Sequence, residues 1–459
     1  MKRLVRRIGV VFLALLGIVL AASALMLATA LYTLRAKPGD WSTRAALGPV
    51  GVELSVPALL RVATHPLGIR LLAGHSIATR HGTLHARPGP TPSSLVVRCA
   101  PCIVDARWLA AQPIRIAEIE ASVEHGEPNQ LHGELRLGRV RAAWQARLAT
   151  QSADLEVRLA ETEVADIVAL FGSAVPEAAR GHVEGRAGAT IRLALPSRRY
   201  AIEPRLEWLT VEGLGSEALI AATPTPACAR TPRAARSTAP YGTWLPKAVI
   251  AAEDQRFFEH AGYDVAEMAA AWSSEVPGGR GPEHRRGAST ISQQLAKLLY
   301  TGDEPSAARK LRELLYAVEL DRTLGKARVL QLYLAVAPWG DGQCGGEAAA
   351  LHYFGKHAAS LDAAEAVWLA SLLRNPEAEL DRAAAHGLDA PRLASLAEAL
   401  RPMSRTRRAD LQADLAVWSL PPVVLLRRER PAIAVAASSP EGESRSATRP
   451  HRSALRSPG

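Results

Sequence analysis

Apolar and polar side chains alternate along several short runs between residues 130 and 213. A period of two predicts β-strands that bury one face, and Gly, Pro and Asn separate the runs. A short apolar stretch at 164–172 predicts one helix among the strands. We therefore predict a β-rich domain over residues 38–215, whose clearest strands lie at 130–148, 153–161, 181–195 and 205–213.

The pattern becomes helical after a linker at 216–243, whose second half is rich in Pro, Ala and Thr. Apolar side chains then recur at helical spacing, and Asp362 and Glu365 have the spacing of a capping box. We predict a helical domain over residues 244–378. Residues 379–459 form an extension without strong periodicity, and its basic tail is predicted to be disordered.

The first 37 residues predict a membrane anchor. Residues 8–34 carry no charge, and this stretch exceeds the ~20 residues that a spanning helix needs. Four basic residues precede it, so the N-terminus is expected to stay cytoplasmic and the rest to be exported. The alternative is a cleaved signal peptide, with Ala28-Thr29-Ala30 as the cleavage site. The predicted fold class is multidomain α+β: a transmembrane helix, a β-rich exported domain and a mainly α domain.

The charge balance of the chain is basic, with a formal net charge of +10 and a pI of about 9.7. Such a balance favours anionic partners. Export argues against nucleic acid, so anionic lipid and lipid-linked phosphate become the expected partners. Cys99 and Cys102 predict a local disulfide, since no second pair or His cluster supports a zinc site. Cys228 and Cys344 are able to pair with each other, but the sequence does not determine this.

The stretch AAEDQRFFEH, residues 251–260, places two acids at the end of an apolar run. Apolar surroundings raise the pKa of a carboxyl group, which suits Glu253 to act as a general base or acid. We expect Phe257 and Phe258 to bury the end of the helix. Taken alone, an acidic pair such as Glu253 and Asp254 is commonly a solvated helix end.

Two further stretches supply polar and cationic groups. Residues 287–297, GASTISQQLAK, offer hydroxyl and amide groups for sugar or phosphate oxygens, and the alternative is a helix start capped by Ser289. Arg309 and Glu313 lie four residues apart on one helix face, a spacing that taken alone usually gives a surface ion pair of little worth. The cationic groups available for a pyrophosphate are Lys297, Arg309 and Lys310.

Five ordered stretches within 244–378 resemble the motifs of family 51 peptidoglycan glycosyltransferases. They are EDQRFFEHAGYD (253–264), GASTISQQLAK (287–297), RKLRE (309–313), KARVLQLYLAVAPWG (326–340) and AEAVWLASLLRNP (364–376). The resemblance implies a lysozyme-like, mainly α domain that polymerises lipid II into glycan strands. No transpeptidase motif set follows, so the chain resembles the monofunctional type. The β-rich region weakly resembles AsmA-like repeats by pattern alone.

The resemblance also implies roles for individual residues. Glu253 would be the general base for attack on the MurNAc anomeric carbon, with inversion and release of undecaprenyl pyrophosphate. Glu313 would organise the pyrophosphate, with a possible divalent cation, Mg²⁺ or Mn²⁺, and no organic cofactor. His260 is expected to be structural. The substrate-binding residues would be Ser289, Gln293, Gln294, Lys297, Arg309 and Lys310.

The resemblance has departures as well. Ala335 stands where the family usually has Asn, and Pro305 stands where many relatives have Arg. The insertion at 273–285 is predicted to form a loop near the cleft. The implied setting is the bacterial inner membrane, with a single span, the catalytic domain on the outer side and other cell-wall synthesis proteins as possible partners.

Two alternatives stay open at this point. A lysozyme-like lytic enzyme also uses two carboxylates in a cleft, although the hydroxyl, amide and cationic groups of the second and third motifs suit pyrophosphate better. A degenerate, non-catalytic envelope protein would instead bind a lipid or protein through its β-rich domain. Pro305 and Ala335 favour this second alternative, whereas the two intact glutamates argue against it.

Overall fold

The computed structural model of the chain describes residues 32, 34–37, 41–47, 50–127, 129–149, 151–197, 199–225, 241–271 and 289–429. Most of the predicted anchor and the insertion at 273–285 lie outside these ranges. Within them, no helix is both long enough and apolar enough to cross a membrane. The described chain is a multidomain α+β structure, with a β-rich region first and a helical region after it.

The β-rich region begins with a hairpin and two short helices and continues into a long antiparallel sheet. Its order along the chain is β1 (Ser42–Leu47), β2 (Val50–Ser55), α1 (Val56–Thr64), α2 (Pro66–Leu72), β3 (Ser76–Thr79), β4 (Gly82–Pro88), β5 (Ser94–Cys99), β6 (Cys102–Val104), β7 (Ile114–Ile116), β8 (Ile119–His125), β9 (Gln130–Leu137), β10 (Val140–Leu148), β11 (Ala153–Glu163), α3 (Val164–Leu170), β12 (His182–Leu195) and β13 (Arg199–Glu212). The nine-stranded sheet has the order β13-β12-β11-β10-β9-β8-β5-β4-β3.

The strands predicted from alternation are confirmed in β9 to β13, and the helix predicted at 164–172 is confirmed as α3. Strand β10 shows why the prediction worked. Its side chains alternate between buried and more exposed positions, most clearly at the start and the end of the strand. The elements before residue 126 were not predicted individually. Their runs are short, and several are broken by Pro or by the Cys99–Cys102 disulfide, which confirms the predicted local bridge.

The helical region contains α4 (Trp244–Glu253), α5 (Val265–Ala271), α6 (Ile291–Ala296), α7 (Ala307–Val336), α8 (Gly346–Phe354), α9 (Ala363–Ser371), α10 (Pro376–His386), α11 (Ala390–Ala399), α12 (Arg405–Val417) and α13 (Pro422–Leu425). A π-helical turn, Lys297–Thr301, follows α6 directly. Helix α7 is interrupted at Gly325, where φ is 72°. Asp362 caps α9 with Glu365, as its spacing predicted.

The described part of the C-terminal extension is helical, which the sequence pattern did not indicate. Helices α10 to α13 bury residues such as Leu380, Ala397 and Leu411 against the rest of the helical region. Each of α10 to α12 buries only one or two Leu, so its apolar pattern is sparse. The extension after 378 is therefore part of the folded body as far as residue 429.

One hydrophobic core extends through both regions. Its members from the β-rich region include Val164, Val168, Val175, Leu209, Val211 and Leu214, and these join the buried residues of α4, α6, α7 and α9. The first residues of the predicted linker also pack here, since Leu219 lies in the core and its carbonyl accepts from Arg328 at 3.0 Å. The β-rich region is thus packed against the helices.

Gly262 provides a test of this packing. Its φ is 86°, and a Cβ there would lie 2.4 Å from the Ala317 carbonyl oxygen on α7. We expect Gly262→Ala to lower the free energy of unfolding by about 3 kcal/mol, because backbone strain and steric overlap add. The matched control is Gly355→Ala, where φ is 64° and a Cβ meets open space, with an expected loss of about 1 kcal/mol. Equal losses in urea unfolding would contradict the close approach.

Candidate active site

The first motif folds around Asp254, the residue that ends α4. Asp254 is buried, and its Oδ2 accepts a hydrogen bond from the Ile291 N–H at 3.0 Å. Both of its carboxylate oxygens lie 3.0 Å from His260 Nε2. Asp254 therefore joins the end of α4 to the start of α6, and its two oxygens are occupied by structural contacts. Glu253, the other acid of this pair, is half-buried as a residue.

The two phenylalanines of the first motif have different environments. Phe257 is fully buried, whereas Phe258 is 68% exposed, so the expectation that both bury the helix end was wrong for Phe258. Lys326 Nζ lies 4.5 Å from the centroid of the Phe257 ring and 3.3 Å from His260 Nδ1. His260 is thus held between Asp254 and Lys326, which matches the structural role expected for it.

The second motif starts α6 with a cap different from the predicted one. Thr290, not Ser289, is the N-cap residue, and its Oγ1 accepts from the Gln293 N–H at 3.2 Å. Gln293 Oε1 accepts from the Thr290 N–H at 3.0 Å, which completes a capping box. Gln293 is buried, and its side chain serves the start of the helix. It does not reach the site, although the sequence analysis placed it among the substrate-binding residues.

Gln294, the next residue, does contact the predicted base. Its Nε2 donates to Glu253 Oε2 at 2.7 Å, and its Oε1 accepts from the Tyr333 hydroxyl at 2.7 Å. Burial raises the pKa of Glu253 above its ordinary value, and the charge of Asp254 acts in the same direction. The hydrogen bond from Gln294 and the charge of Arg392 oppose this rise. Glu253 is therefore a carboxylate in a poorly hydrated position with one amide donor.

Sequence reasoning missed two residues around Glu253. Tyr333 lies among apolar residues of α7, and its hydroxyl donates to Gln294 Oε1 at 2.7 Å. Arg392 lies on α11, beyond the predicted helical domain, and donates from Nη2 to the Ser371 carbonyl at 3.0 Å. Its Nε is buried and has no hydrogen-bond partner among the described residues. Helical periodicity marks Tyr333 only as an apolar position, and nothing in the pattern marks Arg392.

The third motif forms a compact cluster on the first turns of α7. Glu313 is 1% exposed, so the alternative of a surface ion pair is wrong. One of its oxygens accepts from Arg309 Nη1, and the other accepts from Lys310 Nζ at 2.7 Å. Lys310 Nζ also donates to Ser289 Oγ at 2.8 Å, which links the third motif to the second. Because both Glu313 oxygens are engaged, this carboxylate acts through its two cations.

Lys297 lies close to this cluster. It occupies the π-helical turn after α6, and its Nζ lies 2.6 Å from Asp303 Oδ1. Burial lowers the pKa of Lys310 to about 8, and the charges of Arg309 and Lys297 add to that effect. The Glu313 carboxylate acts in the opposite direction, because a neighbouring negative charge stabilises the ammonium form of Lys310. The three cations thus have two carboxylate partners: Glu313 pairs with Arg309 and Lys310, and Asp303 pairs with Lys297.

Helix α6 connects the two halves of the site. Ser289, just before it, contacts Lys310 of the cation cluster, and Gln294 on its second turn contacts Glu253. A base that contacts a short helix and cationic groups beside the same helix suit a reaction that removes a proton from a hydroxyl and stabilises an anionic leaving group.

The described residues do not fit a divalent cation at Glu313. Both carboxylate oxygens are occupied by Arg309 and Lys310, and two positive charges beside them oppose a third. Within the described ranges, no group of three or more acidic, His or Cys side chains is arranged to hold a metal ion.

A known protein family matches the helical region of the chain. Residues 226–395 match the family described as Transglycosylase. The resemblance inferred from the five ordered stretches is confirmed for this part of the chain. The match ends within α11, beyond the boundary at 378 that the sequence predicted, and so includes Arg392. It begins after the β-rich region, whose likeness to AsmA-like repeats stays a prediction.

Several curated relatives carry the name biosynthetic peptidoglycan transglycosylase. The protein from Nitrosomonas eutropha is 46% identical over 132 residues, which is 29% of this chain and 53% of the relative. The Thiobacillus denitrificans protein is 44% identical over 132 residues, 29% of this chain and 56% of that one. The Bordetella avium protein is 41% identical over 144 residues, 29% of this chain and 60% of the relative. The chain thus spans little more than half the length of these relatives.

Lys310 allows the electrostatics of the cluster to be tested. We expect its amine to titrate near pH 8, since burial and two neighbouring cations disfavour the ammonium form. Lys356 is a control with the opposite environment, because its hydrogen bond to Glu365 raises its pKa above the ordinary value. Competitive acylation across pH 7–11, read by mass spectrometry, should show Lys310 reacting at a lower pH than Lys356. The reverse order would contradict the buried cluster.

Proposed function

We propose that this protein is a peptidoglycan glycosyltransferase that polymerises lipid II into glycan strands. The observation that carries the proposal is the pairing of a desolvated carboxylate, Glu253, with a cation cluster across the short helix α6. The family match and the names of the relatives support the same reaction class.

The proposed reaction assigns each group a step. Glu253 takes the proton from the 4-hydroxyl of the acceptor GlcNAc as that oxygen attacks the anomeric carbon of the donor MurNAc. The new glycosidic bond forms on the face opposite the phosphate, so the configuration inverts. The bond from the anomeric carbon to the phosphate oxygen breaks, and its electron pair leaves with undecaprenyl pyrophosphate.

The cations stabilise the charge that develops on the leaving group. Arg309 and Lys310 are held in place by Glu313, and Ser289 adds a hydroxyl beside Lys310. Fixed cations placed where charge develops stabilise the transition state without the cost of reorganisation. Lys297 and Lys310 are similarly exposed, at 39% and 42% of their side chains, whereas Arg309 is 13% exposed, so the two lysines are suited to meet the phosphate as it enters or leaves.

The substrate class implies a location. Lipid II is a membrane lipid, so the helical region would work at a bilayer surface. We propose that residues 8–34, which lie mostly outside the described residues, form a single-pass anchor in the bacterial inner membrane, with the folded regions on the outer side. The net charge of +10 would add attraction to anionic headgroups. Other cell-wall synthesis proteins are proposed partners, and nucleic acid is not.

Glu253→Gln is the direct test of the proposed base. The amide cannot accept the hydroxyl proton, so the rate of glycan polymerisation from lipid II should fall by about 10³-fold, measured by gel analysis of the product. Glu259→Gln is the matched control in the same motif, because Glu259 is exposed and its carboxylate accepts from Arg256 Nε at 3.2 Å in a surface contact. Both variants should keep the wild-type Tm. Undiminished polymer from Glu253→Gln would exclude the mechanism.

The pH profile tests the environment of Glu253. Gln294 donates to the carboxylate and lowers its pKa, so Gln294→Leu should raise that pKa. Since the base must be deprotonated, the acidic limb of kcat/KM should move to higher pH in the variant. Gln331→Leu is the control, because Gln331 accepts from Arg328 on an exposed part of α7. An acidic limb that stays in place, or moves to lower pH, would show that Gln294 does not tune the base.

A further inference from the structure

Helix α7 carries the cation cluster on one side and meets the β-rich region on another. The contact centres on Glu177, which lies in a 3-10 turn, Pro176–Ala179, between α3 and β12. Glu177 is fully buried, and each of its oxygens lies 2.9 Å from Arg312 Nε. Arg312 Nη2 lies 2.9 Å from Oε1 as well, and Arg180 lies 3.7 Å away. A buried carboxylate of the β-rich region therefore forms a hydrogen-bonded ion pair with an arginine of the third motif.

Arg312 belongs to the same helical turn as the cations of the site. It lies two residues after Lys310 and one before Glu313. Each residue of an α-helix turns by about 100° and rises by about 1.5 Å, so a rotation or slide of α7 that displaces Arg312 also displaces its neighbours. The contact from Glu177 to Arg312 consequently fixes the rotation of the turn that presents Lys310 and Arg309.

The β-rich region also holds the first turn of α7 along the helix axis. The N–H groups of Ala307 and Ala308 donate to the carbonyls of Trp108 and Leu109 at 2.9 and 2.8 Å. The first N–H groups of a helix have no partner within that helix. Here, two of them are satisfied by a loop between β6 and β7 instead of by Ser306, which caps Arg309.

A third contact leads to Lys297. Arg180 Nη2 donates to the Tyr316 hydroxyl at 3.1 Å. Tyr316 stacks on Tyr300, with ring centroids 4.1 Å apart and planes at 3°, and Tyr300 belongs to the π-helical turn that carries Lys297. The β-rich region thus reaches both elements that supply cations to the site.

The chemistry of the Glu177 contact indicates that it orients α7 and does more than join the two regions. Two domains that only need to adhere do so through apolar surface, and a buried ion pair is often no more stabilising than an apolar pair of similar volume. The two regions already share one apolar core, to which Val175, Leu214 and Leu315 belong. What a two-pronged arginine contact adds is a defined orientation.

We infer that the β-rich region is a positioning part of the glycosyltransferase site, with Glu177 as a positioning residue that acts through Arg312 on Arg309 and Lys310. This inference rests on the proposed function for its kinetic consequence. The alternative, a spacer that only carries the helical region, requires none of these contacts with the first turns of α7.

The test compares Glu177→Gln with Glu212→Gln in the full-length protein. Glu212 is a matched control, because it also pairs the β-rich region with α7, through Arg322, but in an exposed contact. At a temperature well below the Tm of both variants, Glu177→Gln should lower kcat for lipid II polymerisation about tenfold and change KM much less, since displaced cations fail mainly in the transition state. Glu212→Gln should match the wild type. A lower Tm with unchanged kinetics in Glu177→Gln would overturn the inference.

A second variant covers the case in which Glu177→Gln does not fold. Arg312→Lys keeps the charge but loses the planar contact with both Glu177 oxygens, so it should show the same kcat defect in a milder form. Wild-type kcat in Arg312→Lys would count against the inference.

Two readouts that need no substrate separate this inference from the proposed function. Hydrogen exchange at the Ala307 and Ala308 amides should become faster in Glu177→Gln, because their partners Trp108 and Leu109 move with the β-rich region. The acylation midpoint of Lys310 should rise toward the ordinary lysine value as the cluster gains water. Were the wild type inactive on lipid II, the proposed function would fail, but these two readouts would still show whether Glu177 positions the cation cluster. If neither the exchange rates nor the acylation midpoint changes, the inference is wrong.

Discussion

The contact of Glu313 with Arg309 and Lys310 is the interaction on which the geometry of the site depends. A carboxylate that is 1% exposed requires charged partners, and here it receives one on each oxygen. The two cations would repel each other if Glu313 were absent, and their side chains would move into solvent. One buried anion thus concentrates positive charge beside Ser289, at the distance from Glu253 that α6 determines. Any force that orients α7 therefore orients the whole cluster.

The sequence indicated which residue types form the site, but it did not indicate which hydrogen bonds those residues form. Glu253, Lys310 and Gln294 were identified from ordered stretches, and the structure connects them through α6. Gln293 and Gln294 are adjacent, and the sequence had no means of separating them, because their directions depend on where the helix starts. The cap at Thr290 sets that start one residue after the predicted position, and it turns Gln293 inward.

The fold was predictable where one face of an element is apolar and the other polar. The strands β9 to β13 have that character, and their alternation was sufficient. Helices α10 to α12 do not, because each buries only one or two Leu and their Arg residues contact folded neighbours. Tyr333 shows the converse, since its apolar ring belongs to the core while its hydroxyl serves the site. Local pattern does not report what a residue meets in three dimensions.

Arg312 illustrates why a motif is more than its chemically obvious members. Between Lys310 and Glu313 it reads as one more cation for phosphate, yet its guanidinium faces a carboxylate 135 residues earlier in the chain. A helix that presents cations on one side must be held from another side, and an isolated helical turn supplies no such support. In this chain the support comes from Glu177 and from the carbonyls of Trp108 and Leu109. Through these contacts the β-rich region supports the helix that carries the cation cluster. The folding of the β-rich region and the rate of the reaction should therefore be coupled through α7.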